Sequence, residues 1–183
     1  MPIILLLVVL APFIWAIAAY NTLVRLRNHC RESWSGIDTE LKRRYDLIPN
    51  LVETVKGYAK HEKDLFERIT EARSRAQASK GTPAQQAHEE NMLVEMLKRL
   101  FVVVENYPQL KASQNYLQLQ KELVNTEDRI QAARRFYNAN VRDLNTRIEV
   151  FPSNIIAGMF HFQPEEFFEV ERLAERAAPQ VKM

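Results

Sequence analysis

The sequence predicts an all-α protein in which an N-terminal transmembrane helix continues into an up-and-down antiparallel bundle of long helices. Three observations support this prediction. Pro2 to Ala19 are almost wholly apolar, the apolar residues beyond Leu23 recur at steps of three and four, and the 183-residue chain contains only 4 glycines. Steps of three and four follow one face of a helix, and so few glycines argue against a turn-rich β fold.

Residues 1–24 carry no charged side chain and are predicted to form a transmembrane anchor. A helix of about 20 apolar residues matches the hydrocarbon core of a bilayer. Arg25, Arg27 and Arg31 follow this segment, so the positive-inside rule places the N-terminus outside and the bundle in the cytoplasm. The alternative is a cleaved signal peptide, because Ala16-Ile17-Ala18 resembles a cleavage site, but no basic leading region precedes the apolar run.

Residues 25–183 are predicted to form the helical bundle. Its first amphipathic stripe extends as far as Ala76. Pro49 interrupts the stripe and is expected to kink the helix, because proline lacks the amide donor and clashes with the preceding turn. The two halves of this kinked helix are candidates for two rods of the bundle.

Turn signals divide the rest of the chain into further helices. The segment SKGTP at residues 79–83 ends in Thr82-Pro83, a pair that suits an N-cap and a first helical position. Asn106-Tyr107-Pro108 ends the next helix, and a third long helix ends at Pro152. Pro164-Glu165-Glu166 is expected to begin a short amphipathic C-terminal helix and tail over roughly the last 20 residues.

The charge balance argues against a nucleic-acid partner. The chain has 25 lysines and arginines and 23 aspartates and glutamates, which gives a formal charge of +2. Binding to nucleic acid needs a basic stripe or patch, and the two signs are interspersed here. Cys30 is the single cysteine, so no disulfide can form within the chain.

The motifs do not predict a reaction centre, a metal site or a cofactor. His61 and His88 each precede a glutamate, as in a zinc-protease helix, but Leu65 and Met92 stand where the second histidine ligand would be needed. No two of the four glycines are close enough for a phosphate-binding loop. The sequence therefore predicts a protein that is not an enzyme.

Polar residues are concentrated around Pro49, within a segment whose apolar stripe predicts burial. The pairs Asp38–Lys42 and Glu40–Arg44 have the spacing of exposed ion pairs. Two interpretations of the cluster stay open: a surface ion network, or a polar layer between helices that fixes register or binds a partner. Asn138, Asn140 and Asn145 recur on the third long helix. The candidates around Pro49 are Asp38, Arg43, Arg44, Asp46, Asn50 and Lys56.

An aromatic run near the C-terminus is the second candidate interaction region. It comprises Phe160, Phe162, Phe167 and Phe168. These rings either close the end of the bundle or form a docking patch for a membrane or a partner, because large exposed apolar patches usually mark contact sites. Trp34 is a further candidate for interaction.

Two separated blocks of the sequence resemble the LemA family of bacterial membrane proteins. The first block comprises YNTLVRLRN at Tyr20–Asn28, WSGID at Trp34–Asp38 and LKRRYDLIPNLVETVKGYAKHE at Leu41–Glu62. The second is YNANVRDLNTRIEVFPSNIIAGMF at Tyr137–Phe160. The resemblance implies long antiparallel helices on a single N-terminal span of the bacterial inner (plasma) membrane, and it supplies no catalytic residues.

The resemblance also suggests two functions. Members of the family are linked with envelope stress and with a membrane-embedded zinc metalloprotease, and one branch is implicated in building magnetosome membranes. We therefore expect a membrane-anchored scaffold that self-associates as a homo-oligomer and organises membrane or partner proteins. The alternative is a regulatory adaptor of a membrane-embedded protease or another membrane protein in the envelope stress response.

Overall fold

A computed structural model describes residues 2–170 of the chain, with side chains from Leu10 onward. Over this range the protein has six helices and no strand, so the all-helical prediction is confirmed for the described residues. The helices are α1 (Pro2–Lys56), α2 (Lys63–Ala78), α3 (Pro83–Val104), α4 (Pro108–Lys111), α5 (Gln114–Glu149) and α6 (Ser153–Met159).

The chain divides into two compact units, and α1 and α5 each contribute residues to both. Unit 1 comprises Met1–Gly36 and Arg135–Phe167, and unit 2 comprises Ile37–Arg134 and Phe168–Met183. Each unit has its own buried apolar residues. In unit 1 they include Ala19, Leu23, Cys30, Tyr137, Val141, Leu144, Ile156 and Phe162, and in unit 2 Ile37, Leu41, Ile48, Val55, Ile69, Leu93, Leu97, Leu100, Leu123 and Ile130.

The sequence predicts a kink at Pro49 between two rods, but the break between the first two helices lies at residues 57–62. Helix α1 continues through Pro49 and ends at Lys56. The chain then turns at Gly57, and the amides of Tyr58 and Ala59 both donate to the carbonyl oxygen of Val55, at 3.0 and 2.9 Å. Ala59 is fully buried, so this turn is packed into unit 2.

The predicted turn between α2 and α3 is confirmed. Thr82 is the N-cap of α3: its hydroxyl accepts a hydrogen bond from the Gln85 amide, and the Gln85 side chain accepts one from the Thr82 amide. Pro83 occupies the first turn, where its missing amide hydrogen costs nothing. This capping box and the short connection place α2 and α3 side by side, and the two helices pack against each other.

None of the helices, as far as their residues are described, is long and apolar enough to cross a membrane. The anchor predicted for residues 1–24 starts at Met1, which lies outside the described residues, as do the side chains of residues 2–9. The anchor therefore stays a prediction from the sequence.

Candidate functional site

A fully buried arginine pairs with two carboxylates in unit 2. Arg44 of α1 lies on the same helix face as Leu41 and Ile48, so the apolar stripe carries its side chain into the core. Its Nη1 donates to Glu127 Oε2 at 2.8 Å, and its Nη2 donates to Glu90 Oε2. No side chain of the three is more than 6% exposed. We call this triad and the polar side chains that bind it the Arg44 layer.

Amide and hydroxyl donors bind the remaining carboxylate oxygens of the Arg44 layer. Glu90 Oε1 accepts hydrogen bonds from the Tyr45 hydroxyl and from Gln86 Nε2, the latter at 2.8 Å. Glu127 Oε1 accepts one from Gln131 Nε2 at 3.2 Å. Both glutamines lie one helical turn from the glutamate that they bind, so α3 and α5 each present an amide and a carboxylate as a pair.

The electrostatics favour the ionised guanidinium. Burial opposes the charge on Arg44, but the carboxylates of Glu90 and Glu127 outweigh it and raise the pKa of Arg44. Burial and the neighbouring Glu90 carboxylate also raise the pKa of Tyr45, which keeps its hydroxyl a hydrogen-bond donor. The three formal charges sum to −1. Removing any one of the three would leave a charge buried without its partner, which is costly in a protein core.

Arg73 of α2 replaces the backbone hydrogen bond that Pro49 removes from α1. In a regular helix the amide of residue 49 would donate to the carbonyl oxygen of Tyr45, four residues earlier. Proline has no such amide hydrogen. The Nε of Arg73 donates to that carbonyl oxygen at 2.6 Å. This contact gives the Tyr45 carbonyl oxygen a donor where α1 continues through Pro49.

We expect Arg73→Ala to lower the free energy of unfolding by about 1–2 kcal/mol, because the Tyr45 carbonyl loses its hydrogen bond. In a Pro49→Ala background the same change should cost less, since the alanine amide then donates to that carbonyl. Urea unfolding of the four variants of this double-mutant cycle measures the coupling. Arg75→Ala is the control, because Arg75 is exposed and pairs with Glu71 one turn away on the same helix. Equal costs of Arg73→Ala in both backgrounds would contradict the assignment.

The structure separates the polar residues that the sequence groups around Pro49. Arg44 alone among them is buried. Asp38 pairs with Lys42 at 2.7 Å on the surface, as predicted. The predicted exposed pair Glu40–Arg44 is wrong, because Arg44 points into the core and Glu40 lies 3.7 Å from Arg129. The others are exposed: Arg43, Asp46, Pro49, Asn50, and Lys56, which pairs with Glu53.

Neither glutamate of the Arg44 layer is among the predicted site residues, although the sequence pattern holds a signal for both. Glu90 lies three and four residues before the buried Leu93 and Val94 of α3. Glu127 lies between the buried Leu123 and Ile130 of α5, again at steps of three and four. A charged residue at a position where the stripe predicts an apolar one indicates a buried partner of opposite charge.

The aromatic run also separates into buried and exposed rings. Phe162 and Phe168 are buried, at 7% and 0% exposed, whereas Phe160 and Phe167 are 54% and 39% exposed. Trp34 is half-buried, with its ring 5.3 Å from the ring of Tyr137. Two members of the run are therefore core residues, and the other two leave much of their ring surface exposed. The roles of these residues in binding stay predictions.

Residues 163–170 contain no helix, so the start predicted at Pro164 is wrong; residues from Glu171 on lie outside the described part. Side chains of the long helices bind the backbone of this segment instead. In unit 1, Asn145 donates to the Glu165 carbonyl and accepts from the Glu165 amide, both at 2.9 Å. In unit 2, Arg134 donates to the Val170 carbonyl at 2.6 Å. These carbonyls would otherwise be free to bond within a helix.

Tyr137 and Asn140 of α5 make two further contacts with backbone groups in unit 1. The Tyr137 hydroxyl donates to the Glu166 carbonyl at 2.9 Å, and burial raises the pKa of Tyr137. Asn140 donates to the His29 carbonyl of α1 at 3.4 Å. Tyr137, Asn140 and Asn145 of α5 thus bind backbone groups of other segments of unit 1.

Within residues 10–170, no group of three histidine, cysteine, aspartate or glutamate side chains is placed to hold a metal ion. A shallow groove of about 510 Å³ lies beside α2, and the Ser74 hydroxyl on its wall donates to the Thr70 carbonyl. The Arg44 layer is closed to solvent.

Comparison with known proteins decides the family. The model of the LemA family matches residues 33–183, which is most of the chain. The chain belongs to the LemA family. The match begins just before WSGID, so the Tyr20–Asn28 segment lies ahead of it. The Arg44 layer lies within the matched LemA region.

Named relatives fall into two groups. The chain is 30% identical over 159 residues to Protein LemA of Metamycoplasma hominis, which covers 84% of this chain and 71% of the relative. It is 28% identical over 175 residues to Magnetosome protein MamQ 2 of Paramagnetospirillum magneticum, covering 82% of this chain. The match spans 64% of the length of that magnetosome protein. Neither name is that of an enzyme.

Proposed function

We propose that this LemA-family chain is a non-enzymatic, membrane-anchored helical scaffold that self-associates and organises membrane or partner proteins. The observation that carries the proposal is the continuity of α1. No irregular residue separates its exposed apolar part from Ala19 and Leu23, the first buried positions from Leu10 onward. A continuous helix carries a folded unit in a fixed orientation on its anchor, which a flexible linker does not.

The exposed apolar side chains of α1 support the anchor. Phe13, Ile14 and Ile17 are each more than 60% exposed, and the residues before them are apolar as well. A bilayer removes this surface from water at a gain of roughly 25 cal/mol per Å². The arginines that follow at residues 25, 27 and 31 favour a single pass through the inner membrane with the N-terminus outside.

Exposed apolar residues in unit 2 support self-association. Leu117 and Val124 are 49% and 46% exposed and lie seven residues apart, so they share one face of α5. Val102 on α3 is 68% exposed. Apolar residues at a heptad spacing form a seam between helices when a second copy covers them.

Mass measurement in mild detergent tests self-association. We expect the full chain at micromolar concentration to contain more than one copy, and the double variant Leu117→Ser/Val124→Ser to dissociate more readily. The matched control is Gln118→Ser/Asn125→Ser, which alters exposed polar residues at the same spacing. A wild-type chain that is monomeric under these conditions would contradict the scaffold.

The alternative function, an adaptor of a membrane-embedded protease, draws support from the exposed polar residues of α1. Arg43, Asp46 and Asn50 are exposed and are not used by the Arg44 layer. A photo-crosslinker at Asp46 in the full chain separates the two functions. Contacts between copies support the scaffold, whereas one recurrent partner that is a membrane metalloprotease supports the adaptor.

A further inference from the structure

A ridge of apolar side chains surrounds α6 in unit 1. Val150, Phe151, Ile155, Met159 and Phe160 are between 42% and 79% exposed, and we call them the α6 apolar ridge. The same short segment also holds Ile156 and Ala157, which are buried. Five large apolar residues exposed within eleven positions are an unusual concentration, and exposed apolar clusters often mark contact sites.

The backbone under the α6 apolar ridge is firmly held. The Ser153 hydroxyl is buried and donates to the carbonyls of Arg147 and Val150, at 2.7 and 3.0 Å. At the other end, the amide of Phe162 donates to the carbonyl of Ala157 at 2.9 Å. The exposed rings therefore project from a fixed turn and helix, and not from a loop that could fold them inward.

The ridge adjoins the exposed apolar part of α1. The ring of Phe160 lies 4.6 Å from the ring of Tyr20, and the ring of Phe162 lies 5.8 Å from it. Tyr20 follows Ile17, which is 62% exposed, by less than one helical turn. The guanidinium of Arg27 lies 5.0 Å from the centre of the Phe162 ring. Aliphatic, aromatic and cationic side chains thus follow one another along α1 at the level of the ridge.

We infer that the α6 apolar ridge inserts into the surface of the bilayer that α1 crosses, as a second lipid contact beside the anchor. This inference rests on the proposed anchor. If residues before Tyr20 cross the hydrocarbon core, Tyr20 lies at the interface, where amphipathic rings are favoured. Phe160, in contact with Tyr20, then lies at the same depth. Apolar side chains at the boundary between headgroups and acyl chains bury about 5–10 Å deep.

The order of residues favours lipid over a protein partner as the occupant. None of the five ridge residues is charged, and the exposed cation Arg25 follows Tyr20 on α1, where anionic headgroups would lie. The α6 apolar ridge and the exposed apolar part of α1 meet at one level, and arginines follow them along α1. This order matches the apolar core of a bilayer and the headgroup layer beyond it. A second contact fixes the rotation of α1 about its own axis, which a single span leaves free.

Site-specific fluorescence in vesicles tests the inference. The full chain carries an environment-sensitive dye on a cysteine introduced at Ile155 or Met159 for the ridge, at Ile17 for the anchor, or at Phe136 as control. Phe136 is 63% exposed and lies on α5 about 21 Å before Val150. Burial raises the pKa of native Cys30 to about 11, so at neutral pH the introduced thiol labels selectively.

The vesicles contain phosphatidylcholine and phosphatidylglycerol, with or without bromine on the acyl chains. We expect bromolipid to reduce fluorescence about twofold or more at residues 17, 155 and 159 and to leave residue 136 nearly unchanged. Quenching at residue 17, with residues 155 and 159 as little quenched as residue 136, would overturn the lipid contact of the ridge and leave the anchor intact. No quenching at 17 would overturn the anchor as well. Crosslinks between copies through residue 155, without quenching, would assign the ridge to a second copy and overturn the inference.

Discussion

Arg44→Ala should lower the free energy of unfolding by about 3–5 kcal/mol, the range found when one partner of a buried ion pair is removed. The variant leaves Glu90 and Glu127 buried without the cation that both of them bind. Urea unfolding of the full chain in mild detergent, followed by circular dichroism, gives the change in free energy.

Arg43→Ala is the matched control for this prediction, because Arg43 is the exposed neighbour of Arg44 on the same helix. Exposed substitutions of this kind usually change stability by less than about 0.5 kcal/mol. If the two variants unfolded at the same urea concentration, the Arg44 layer would not be a buried network.

The triple variant Arg44→Met/Glu90→Leu/Glu127→Leu separates stability from alignment. Replacing a whole buried ionic triad by apolar residues of similar size is often neutral or stabilising by about 1–4 kcal/mol. We expect the free energy of unfolding to stay near that of the wild type. The helices should be less uniformly arranged, which NMR spectra would show as broader amide resonances. A triple variant as unstable as Arg44→Ala would mean that the charges themselves stabilise the fold.

Phe168→Ala should also destabilise the protein strongly, by about 3–5 kcal/mol, the usual cost of removing a buried phenylalanine ring. The side chain is fully buried in unit 2, next to the backbone that Asn91 and Arg134 bind at Glu169 and Val170. Thermal and urea unfolding of the full chain measure the effect.

The adjacent residue provides the control, since Phe167 is 39% exposed. Phe167→Ala should cost roughly 1 kcal/mol or less, because part of its ring already contacts water. Equal effects of the two substitutions would mean that residues 163–170 do not close the core as described.

Helical periodicity was sufficient to predict most of the long helices, and local chemistry predicted the Thr82-Pro83 cap. Both signals act within a few residues, so a single sequence expresses them directly. The partners of Arg44 lie on α3 and α5, 46 and 83 positions away along the chain. Periodicity shows that Glu90 and Glu127 face inward, but only the packing of α1, α3 and α5 shows that they meet the same guanidinium.

At two prolines, distant side chains bind the backbone groups on which local rules depend. Near Pro49, the guanidinium of Arg73 takes the place of the missing amide, and α1 continues. After Pro164, the asparagine at residue 145 occupies both backbone groups of Glu165, and no helix begins. Neither of these side-chain contacts can be predicted from the residues next to the proline.

The anchor is the central claim, and the mass of the protein recovered from cell membranes tests it most directly. Membranes are washed with alkaline carbonate, which removes peripheral proteins, and the intact mass is measured in the pellet and in the supernatant. The account predicts that the chain stays in the pellet with residues 2–19 still attached. A chain released into the supernatant and trimmed after Ala18 would contradict it.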